Sequence, residues 1–369
     1  MKVLVTGANG FIGKNLCVHL AERNFHVFRF VRGSNFNFLS ECVANADAII
    51  HLAGENRPKD PIDFEVVNVE LTHKICNLIS KFNKKIPVVF ASSIQAKLEN
   101  SYGLSKLSAE EQLINLSKNV EINLAIYRLP GVFGKWSKPN YNSVVATFCH
   151  QLARGLPIKV NDSSRILRLV YIDDVVNSFV DFISNPDSQS DLYCNINEEY
   201  EITLGNLADQ IRSFKYVKKN LIIEPVGTGF TRALYSTYLS YLKVSDFSYA
   251  LPKYSDERGG FVEILKTKNS GQFSYFTARP GVTRGGHYHH TKTEKFLVVQ
   301  GKARFKFKNI ITHEQHELII NGDKPEVVDT VPGWSHDITN IGDTELVVFL
   351  WANEVFDRDK PDTYKRSLN

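Results

Sequence analysis

The chain has 369 residues, of which 43% are hydrophobic and 23% charged, a composition typical of a globular protein. Because single hydrophobic cores rarely grow beyond about 250–300 residues, this length predicts two domains. The net charge of +4 is spread without a basic stripe, so we expect no nucleic-acid partner. No apolar run approaches the roughly 18 residues of a spanning helix, so we expect no membrane insertion.

The N-terminus and the cysteines predict the same compartment. The opening segment MKVLVTGANGFIG passes from an apolar run directly into glycines, without the features of a signal peptide. The five cysteines form no CxxC pair and suit reduced, mostly buried thiols better than disulfides. We therefore expect a cytoplasmic protein.

The pattern of predicted elements changes along the chain. In the first 190 or so residues, apolar runs such as KVLVTG, HVFRFV, DAIIHLAG, PVVFASS and INLAIYRLPG alternate with amphipathic stretches, which predicts a parallel sheet with crossover helices. After about residue 255, short strands separated by turn residues indicate an all-β fold. We predict a Rossmann-type α/β domain over 1–246 and an all-β domain over 247–369.

The first strand and helix enclose a glycine motif. Gly7, Gly10 and Gly13 have GxxGxxG spacing, which lets a backbone approach a pyrophosphate at the helix N-terminus, although a tight turn without a ligand has the same pattern. The second strand ends without the acidic residue that binds the ribose of NAD and supplies Arg32, with Arg29 nearby. A guanidinium can pair with a 2′-phosphate, so NADPH is the expected cofactor unless Arg32 is only a solvated surface residue.

Several motifs together resemble the extended short-chain dehydrogenases/reductases that act on nucleotide sugars. They are TGxxGxxG at 6–13, DAIIHLAG at 47–54, VNVELT at 67–72, the serines at 92–93, YxxxK at 102–106 and RLPGVFG at 128–134. The resemblance covers about 1–245. It implies cofactor contacts from Gly7, Asn9, Gly10, Phe11, Ile12, Gly13, Arg29, Arg32, Leu52, Ala53, Tyr102 and Lys106.

The same resemblance assigns catalytic roles. YxxxK occurs three times in the chain, and only the copy at Tyr102 and Lys106 opens an amphipathic helix just after a serine-bearing strand. In the family, this tyrosine passes a proton to the substrate carbonyl, while the lysine stabilises the phenolate and holds the nicotinamide ribose. Ser93 is the expected hydroxyl that polarises the carbonyl, and Ser92 is the alternative.

Two further segments indicate the class of reaction and the type of substrate. The dehydratases of this family carry an Asp-Glu pair where this chain has Ile94 and Gln95, which favours a ketoreductase or an epimerase. An NAD-dependent 4-epimerase stays open, although Arg32 argues against it. The segment RILRLVYIDDVV resembles the part of the family that contacts the sugar-nucleotide pyrophosphate, so Arg165 and Arg168 are candidate phosphate ligands.

The C-terminal half concentrates histidines, with six of the eleven after residue 286. Residues 281–301, GVTRGGHYHHTKTEKFLVVQG, match the cupin pattern G-x5-H-x-H-x4-E-x6-G at every fixed position. Residues 331–340, VPGWSHDITN, supply the second pattern, P-G-x2-H-x3-N. This match predicts that the all-β domain is a cupin, a jelly-roll barrel.

The spacing of these residues predicts a metal site. On a strand, His287 and His289 point to one face, a turn returns Glu294 to it, and His336 arrives from a facing strand. Three imidazoles and a carboxylate suit a divalent metal such as zinc. If the strand breaks after His289, His290 replaces one of the first two ligands.

A second resemblance gives His287 a competing role. DERGGFVE at 256–263 and TRGGH at 283–287 resemble segments of the deoxysugar 3,5-epimerases. In that family the corresponding histidine removes a proton beside a 4-keto group. A bound metal takes the lone pair that a base needs, so metal ligand and base are alternative roles for His287.

As a whole, the chain resembles the capsular-polysaccharide enzymes that fuse an extended reductase to a cupin and complete UDP-N-acetyl-L-fucosamine. The resemblance implies C-3 epimerisation of a UDP-4-keto-6-deoxy-N-acetylhexosamine in the cupin, followed by NADPH-dependent reduction at C-4. It also implies a homodimer. In the alternative, the cupin is a metal-bearing assembly module and only the reductase is catalytic.

Overall fold

In the computed structural model the chain forms two compact units. The described residues are 1–58, 60, 62–188 and 191–368. The first unit consists of Met1–Ile211 and Ala233–Leu242, and the second of Arg212–Arg232 and the chain from Lys243 onward. The boundary predicted at residue 246 places residues 212–232 in the N-terminal domain, whereas the structure groups them with the second unit. The bounds of the two functional domains remain a prediction.

Strands of the first unit form two sheets. Their bounds are β1 Lys2–Thr6, β2 His26–Phe30, β3 Ala48–His51, β4 Val88–Ser93, β5 Leu124–Leu129, β6 Gly131–Phe133, β7 Ile166–Tyr171, β8 Tyr193–Cys194 and β9 Glu199–Thr203. The main sheet is parallel, in the order β2-β1-β3-β4-β5-β8, and β6, β7 and β9 form the smaller sheet. The five predicted strands are confirmed as β1 to β5.

Helices lie between and after these strands. Their bounds are α1 Phe11–Glu22, α2 Phe36–Asn45, α3 Ile62–Phe64, α4 Leu71–Lys81, α5 Ser101–Asn119, α6 Val144–Ala153, α7 Ile172–Ser184, α8 Leu204–Asn220 and α9 Gly229–Leu239. Both α8 and α9 contain residues of both units. A π-helical segment, Glu65–Glu70, joins α3 to α4. Among the described residues, none of these helices is both long and apolar enough to span a bilayer.

The main sheet is buried on both faces. Val3 and Val5 of β1 contribute to a core cluster that includes residues of α1 and α7, whereas Leu4 contributes to a second cluster with residues of α2, α4 and α5. This is the alternation that a strand imposes on its side chains. Because the strands are parallel, their carboxyl ends share one edge, where open α/β sheets bind ligands.

With parts of α8 and α9 in its segment Arg212–Arg232, the second unit consists mainly of strands. Their bounds are β10 Ile222–Ile223, β11 Lys253–Asp256, β12 Gly259–Thr267, β13 Gln272–Ala278, β14 Thr283–Tyr288, β15 Glu294–Gln300, β16 Lys302–Asn309, β17 Gln315–Asn321, β18 Val327–Asp329, β19 Trp334–Asn340, β20 Leu346–Ala352 and β21 Tyr364–Lys365. One sheet has the order β10-β12-β13-β20-β15-β18, with β11 on β12, and the other has the order β17-β16-β19-β14-β21.

Aromatic and branched side chains of both sheets share one core. Phe276 of β13 and Phe296 of β15 come from the first of these sheets, while Phe305 of β16 and Ile338 of β19 come from the second. All four are buried, because one face of each sheet is apolar. The predicted order of a parallel α/β unit followed by an all-β unit is thus confirmed.

Candidate active site and metal cluster

The turn between β1 and α1 forms one wall of a cavity of about 500 Å³ in the first unit. Gly7 has a φ of +67°, and a Cβ there would lie 2.8 Å from the backbone nitrogen of Ala53. A Cβ on Gly13 would lie 2.3 Å from the carbonyl oxygen of Gly7, so both positions require glycine. α1 begins without a side-chain cap, which leaves its N-terminus suited to a pyrophosphate.

The cavity contains half of the predicted cofactor contacts. Its lining includes Gly7, Asn9, Gly10, Arg32, Leu52 and Ala53. The other predicted contacts are not among its lining residues: Phe11, Ile12, Gly13, Arg29, Tyr102 and Lys106. The lining also includes Ser34 and Lys74, which sequence reasoning missed. Ser34 follows Arg32 by two residues and could have been found by proximity, but no local pattern marks Lys74.

Arg32 lies at this cavity and pairs with an acid that the sequence did not reveal. Its side chain is 82% exposed, and its Nη2 lies 2.6 Å from Oε2 of Glu55. Oε1 of Glu55 accepts a hydrogen bond from the Tyr141 hydroxyl at 3.1 Å. Burial raises the pKa of Glu55, but hydrogen bonds from Arg32, two backbone amides and Tyr141 bring it below its ordinary value. Arg29 instead donates to Oδ1 of Asn9.

Ser93, Tyr102 and Lys106 meet at the carboxyl end of β4. Tyr102 and Lys106 lie one turn apart on α5. Burial raises the pKa of Tyr102, and a side-chain interaction with Ser93 partly opposes the rise. Nζ of Lys106 donates to the carbonyl oxygen of Ala91 at 2.8 Å. A Cβ on Gly54 would lie 3.1 Å from that Nζ, so glycine leaves room for the ammonium group.

Ser92, the alternative to Ser93, is engaged elsewhere. Its hydroxyl donates to the carboxylate of Glu110, whose side chain is fully buried and pairs with Arg128 at 2.6 Å. Successive residues of a strand point to opposite faces, so Ser92 and Ser93 cannot both reach Tyr102. The geometry therefore favours Ser93. Sequence reasoning missed Glu110, because only its tertiary partners distinguish it from its neighbours on α5.

Burial makes the pKa of Lys106 low for a lysine. It lowers the pKa of the lysine to about 8, although the Glu110 carboxylate opposes this shift. We expect kcat/KM for the nicotinamide cofactor to fall as the pH rises through about 8, because the positive charge is lost there. Tyr102 keeps its proton in this range, since its own pKa is raised. A flat profile up to about pH 10, with the protein still folded by circular dichroism, would contradict this assignment.

Four of the predicted metal residues meet in the second unit. His287, His289, Glu294 and His336 each offer a ligand atom, and these atoms lie within 4.8 Å of one another. His287 of β14 is paired with His336 on the adjacent antiparallel strand β19, and their ring centroids lie 4.7 Å apart. His289 follows β14 directly, and Glu294 opens β15, with its Oε2 3.2 Å from Nε2 of His289.

His290 lies outside this cluster. β14 ends at Tyr288, so the strand does break in this region, yet His289 still faces the other ligands. The His290 side chain is exposed, and its ring packs against Tyr364 with centroids 4.7 Å apart. The alternative in which His290 replaces His287 or His289 is therefore not the arrangement in this structure.

The charges and lone pairs of the cluster fit a divalent cation. Burial, followed by the neighbouring His336 and His289, lowers the pKa of His287 to about 4, so its imidazole is neutral at pH 7. Burial raises the pKa of Glu294, but His289, His336 and Lys292 together hold it well below its ordinary value. Nδ1 of His336 is buried without a hydrogen-bond partner among the described residues. This donor set suits zinc.

Lys292 is a further buried charge beside the cluster, and sequence reasoning missed it. Its Nζ lies 2.9 Å from Oε1 of Glu294, and its side chain is 10% exposed.

The two candidate phosphate ligands of the first unit are exposed. Arg168 of β7 pairs with Glu199, and Arg165 precedes β7. Neither lines the cavity described above, and their assignment stays a prediction.

Comparison with known proteins agrees with these two units. Residues 3–203 match the model of the NAD dependent epimerase/dehydratase family, and residues 254–364 match that of the polysaccharide biosynthesis C-terminal domain. The dTDP-4-dehydro-6-deoxyglucose reductase of Escherichia coli is 27% identical over 269 residues, which are 60% of this chain and 83% of that protein.

Two proteins are similar along the full chain. The UDP-2-acetamido-2,6-beta-L-arabino-hexul-4-ose reductase of Pseudomonas aeruginosa is 55% identical over 369 residues, which cover 100% of this chain and 99% of that one. The crystal structure of the capsular polysaccharide assembling protein CapF from Staphylococcus aureus is 41% identical, with a TM-score of 0.92 and full coverage of both chains. The chain therefore belongs to the NAD-dependent epimerase/dehydratase family and, along its whole length, to the same family as the Pseudomonas aeruginosa reductase.

Proposed function

We propose that the chain is a bifunctional nucleotide-sugar enzyme of capsule polysaccharide biosynthesis. The second unit, as a cupin, epimerises C-3 of a UDP-4-keto-6-deoxy-N-acetylhexosamine, and the first unit reduces C-4 with NADPH to give UDP-N-acetyl-L-fucosamine. The cluster of Ser93, Tyr102 and Lys106 is the observation that carries the reductase activity. The substrate class is supported by the name of the Pseudomonas aeruginosa relative.

In the first unit, Ser93, Tyr102 and Lys106 have different roles in the reduction. The Ser93 hydroxyl donates a hydrogen bond to the 4-keto oxygen and holds it beside Tyr102. Tyr102, whose raised pKa keeps it protonated, gives its proton to that oxygen. The Lys106 ammonium then stabilises the tyrosinate that remains. NADPH, when bound, supplies the hydride that C-4 receives, so the keto group becomes a secondary alcohol.

The exposed guanidinium of Arg32 supports NADPH over NADH. Arg32 lines a cavity that Ser34 and Lys74 also line, which brings two cationic side chains and a hydroxyl to one region. Arginine and lysine both bind phosphate groups, and arginine can do so through two parallel hydrogen bonds. Glu55 restrains the guanidinium at this position before the cofactor binds.

In the second unit we assign the epimerisation base to His287. Among the four clustered residues it is the least buried, so a substrate carbon can approach its imidazole. Its neutral form at pH 7 can accept the C-3 proton. His289, Glu294 and His336 then hold zinc. When bound, this cation supplies positive charge that makes the protons beside the carbonyl more acidic.

We also propose that the enzyme is a cytoplasmic homodimer. All five cysteines are free and buried, which suits a reducing compartment. The dimer rests on the resemblance to fused capsular enzymes. Sedimentation equilibrium of the full chain measures the mass directly, and a mass of one chain at micromolar concentration would contradict the dimer.

Product analysis by NMR in deuterated water tests both activities. The purified full chain is mixed with a UDP-4-keto-6-deoxy-N-acetylhexosamine without cofactor, with NADPH or with NADH. We expect deuterium at C-3 without cofactor, because the base exchanges the acidic proton beside the ketone, and net reduction at C-4 when NADPH is added. Reduction with NADH should be slower, because NADH lacks the 2′-phosphate.

Other outcomes of this experiment separate the alternatives. Reduction without exchange at C-3 would leave the reductase and make the metal cluster a structural site. Interconversion of C-4 epimers without net NADPH consumption would indicate an NAD-dependent 4-epimerase. A Tyr249→Phe enzyme, which alters a second YxxxK copy, is a matched control and should behave as the wild type.

A further inference from the structure

The C-terminal tail of the second unit is attached to the strands that carry two of the clustered histidines. β21 pairs antiparallel with β14, so that Lys365 lies opposite His287. Just beyond β21, the backbone nitrogen of Arg366 donates to the carbonyl oxygen of Gly286 at 2.8 Å. Oγ of Ser335, on β19, donates to the carbonyl oxygen of Arg366 at 2.6 Å. These contacts fix the tail beside the metal cluster.

Asp362, two residues before β21, uses its carboxylate to hold the metal loop, which we define as residues 289–294. Oδ1 accepts a hydrogen bond from the backbone nitrogen of His290 at 2.9 Å. Oδ2 accepts from the backbone nitrogens of Thr291 and Lys292 at 2.7 and 2.8 Å and from the Thr291 hydroxyl at 3.0 Å. One carboxylate thus satisfies four donors between the ligands His289 and Glu294.

The backbone carbonyl of the same residue contacts His289 itself. The Asp362 carbonyl oxygen lies 2.5 Å from Nδ1 of His289, while the Thr363 hydroxyl is more distant from that nitrogen, at 3.5 Å. A carbonyl oxygen can only accept a hydrogen bond, so Nδ1 must carry a proton. Nε2, which faces Glu294, is then the atom that can bind a cation. Partners of this kind orient the ligating histidines of metal sites.

We propose that Asp362 is a positioning residue of the metal cluster. Its carboxylate sets the backbone of the metal loop, and its carbonyl fixes the tautomer and the ring orientation of His289. This inference rests on the proposed metal site, and it assigns Asp362 no direct contact with the cation. Asp362 accordingly lies outside the group of residues whose ligand atoms meet.

Metal titration of the full chain tests this role. An Asp362→Asn variant loses acceptor capacity toward the four donors, so we expect its affinity for Zn²⁺ to fall about tenfold to a hundredfold, the range found for outer-shell partners. The affinity is measured by competition with a chromophoric chelator. Asp359→Asn, an exposed position in the same tail, is the matched control and should bind Zn²⁺ as the wild type does.

A spectroscopic readout separates positioning from general stabilisation. In metal-free protein with ¹⁵N-labelled histidine, we expect His289 to be protonated at Nδ1 in the wild type. In Asp362→Asn we expect its tautomers to be mixed, because the carbonyl no longer holds one position. Thr291→Val removes a single donor to the carboxylate, so it should fold normally and show a smaller shift in the same direction.

Each result decides the inference. Wild-type Zn²⁺ affinity and an unchanged His289 tautomer in Asp362→Asn would overturn the role of Asp362 while leaving the metal site intact. If Asp362→Asn fails to fold, unchanged values in Thr291→Val would overturn it equally. A wild-type chain that binds no Zn²⁺ would overturn the metal site itself, and this outcome is distinct because it requires no variant.

Discussion

Replacing Tyr102 by phenylalanine should lower kcat for reduction of the 4-keto sugar by about 10²–10⁴-fold, the usual contribution of a positioned general acid. The hydroxyl that would protonate the 4-keto oxygen is removed, while the cavity that we assign to the cofactor is not lined by Tyr102. NADPH oxidation measured at saturating substrate gives the rate, and quenching of NADPH fluorescence gives the cofactor affinity, which should change little.

Two results would oppose this expectation. If Tyr102→Phe oxidised NADPH at the wild-type rate, another group would have to protonate the oxygen, and the reductase assignment to this cluster would fail. If Tyr249→Phe, at the exposed YxxxK copy, lost as much activity as Tyr102→Phe, the effect could not be ascribed to chemistry at the end of β4. Deuterium exchange at C-3 should survive in both variants.

Replacing Glu294 by glutamine should remove most of the affinity for Zn²⁺. The loss should exceed the roughly 10–100-fold typical of outer-shell partners, because a charged ligand becomes a neutral one. The free energy of unfolding should also fall by on the order of 3 kcal/mol, because the buried Lys292 ammonium loses its partner at 2.9 Å. Chelator competition measures the first effect, and denaturant unfolding of the metal-free chain measures the second.

A double variant separates these two effects. In Glu294→Gln with Lys292→Met, the unpaired buried charge is gone, so most of the lost stability should return while Zn²⁺ affinity stays low. Glu317→Gln, at an exposed position on β17, is the matched control and should alter neither quantity. Unchanged Zn²⁺ affinity in Glu294→Gln would exclude this carboxylate from the ligand set.

Local patterns predicted much of the fold and of the site. Each of the strands β1 to β5 coincides with an apolar run of the sequence, because a strand between two helical layers buries both faces. Tyr102 and Lys106 were predictable because one helical turn places them side by side. Gly7 and Gly13 were predictable from the GxxGxxG spacing, and a Cβ at either position would lie within 3 Å of neighbouring backbone atoms.

Residues whose roles depend on distant partners were not predictable. Glu55 reaches Arg32 across 23 positions, and Asp362 reaches His289 across 73. A single acidic residue in an irregular segment carries no periodicity that would indicate such a contact. The sequence also left open whether His290 replaces His287 or His289, because side chains beyond the end of a strand follow no fixed alternation.

The pairing of β21 with β14 has a consequence for protein engineering. Residues 362–366 hold the metal loop and Gly286 through hydrogen bonds, although none of them belongs to the four clustered residues. A truncation that removes these residues would leave every candidate ligand in the chain and take away the contacts that orient His289. A fragment designed to isolate the metal cluster must therefore extend through Arg366.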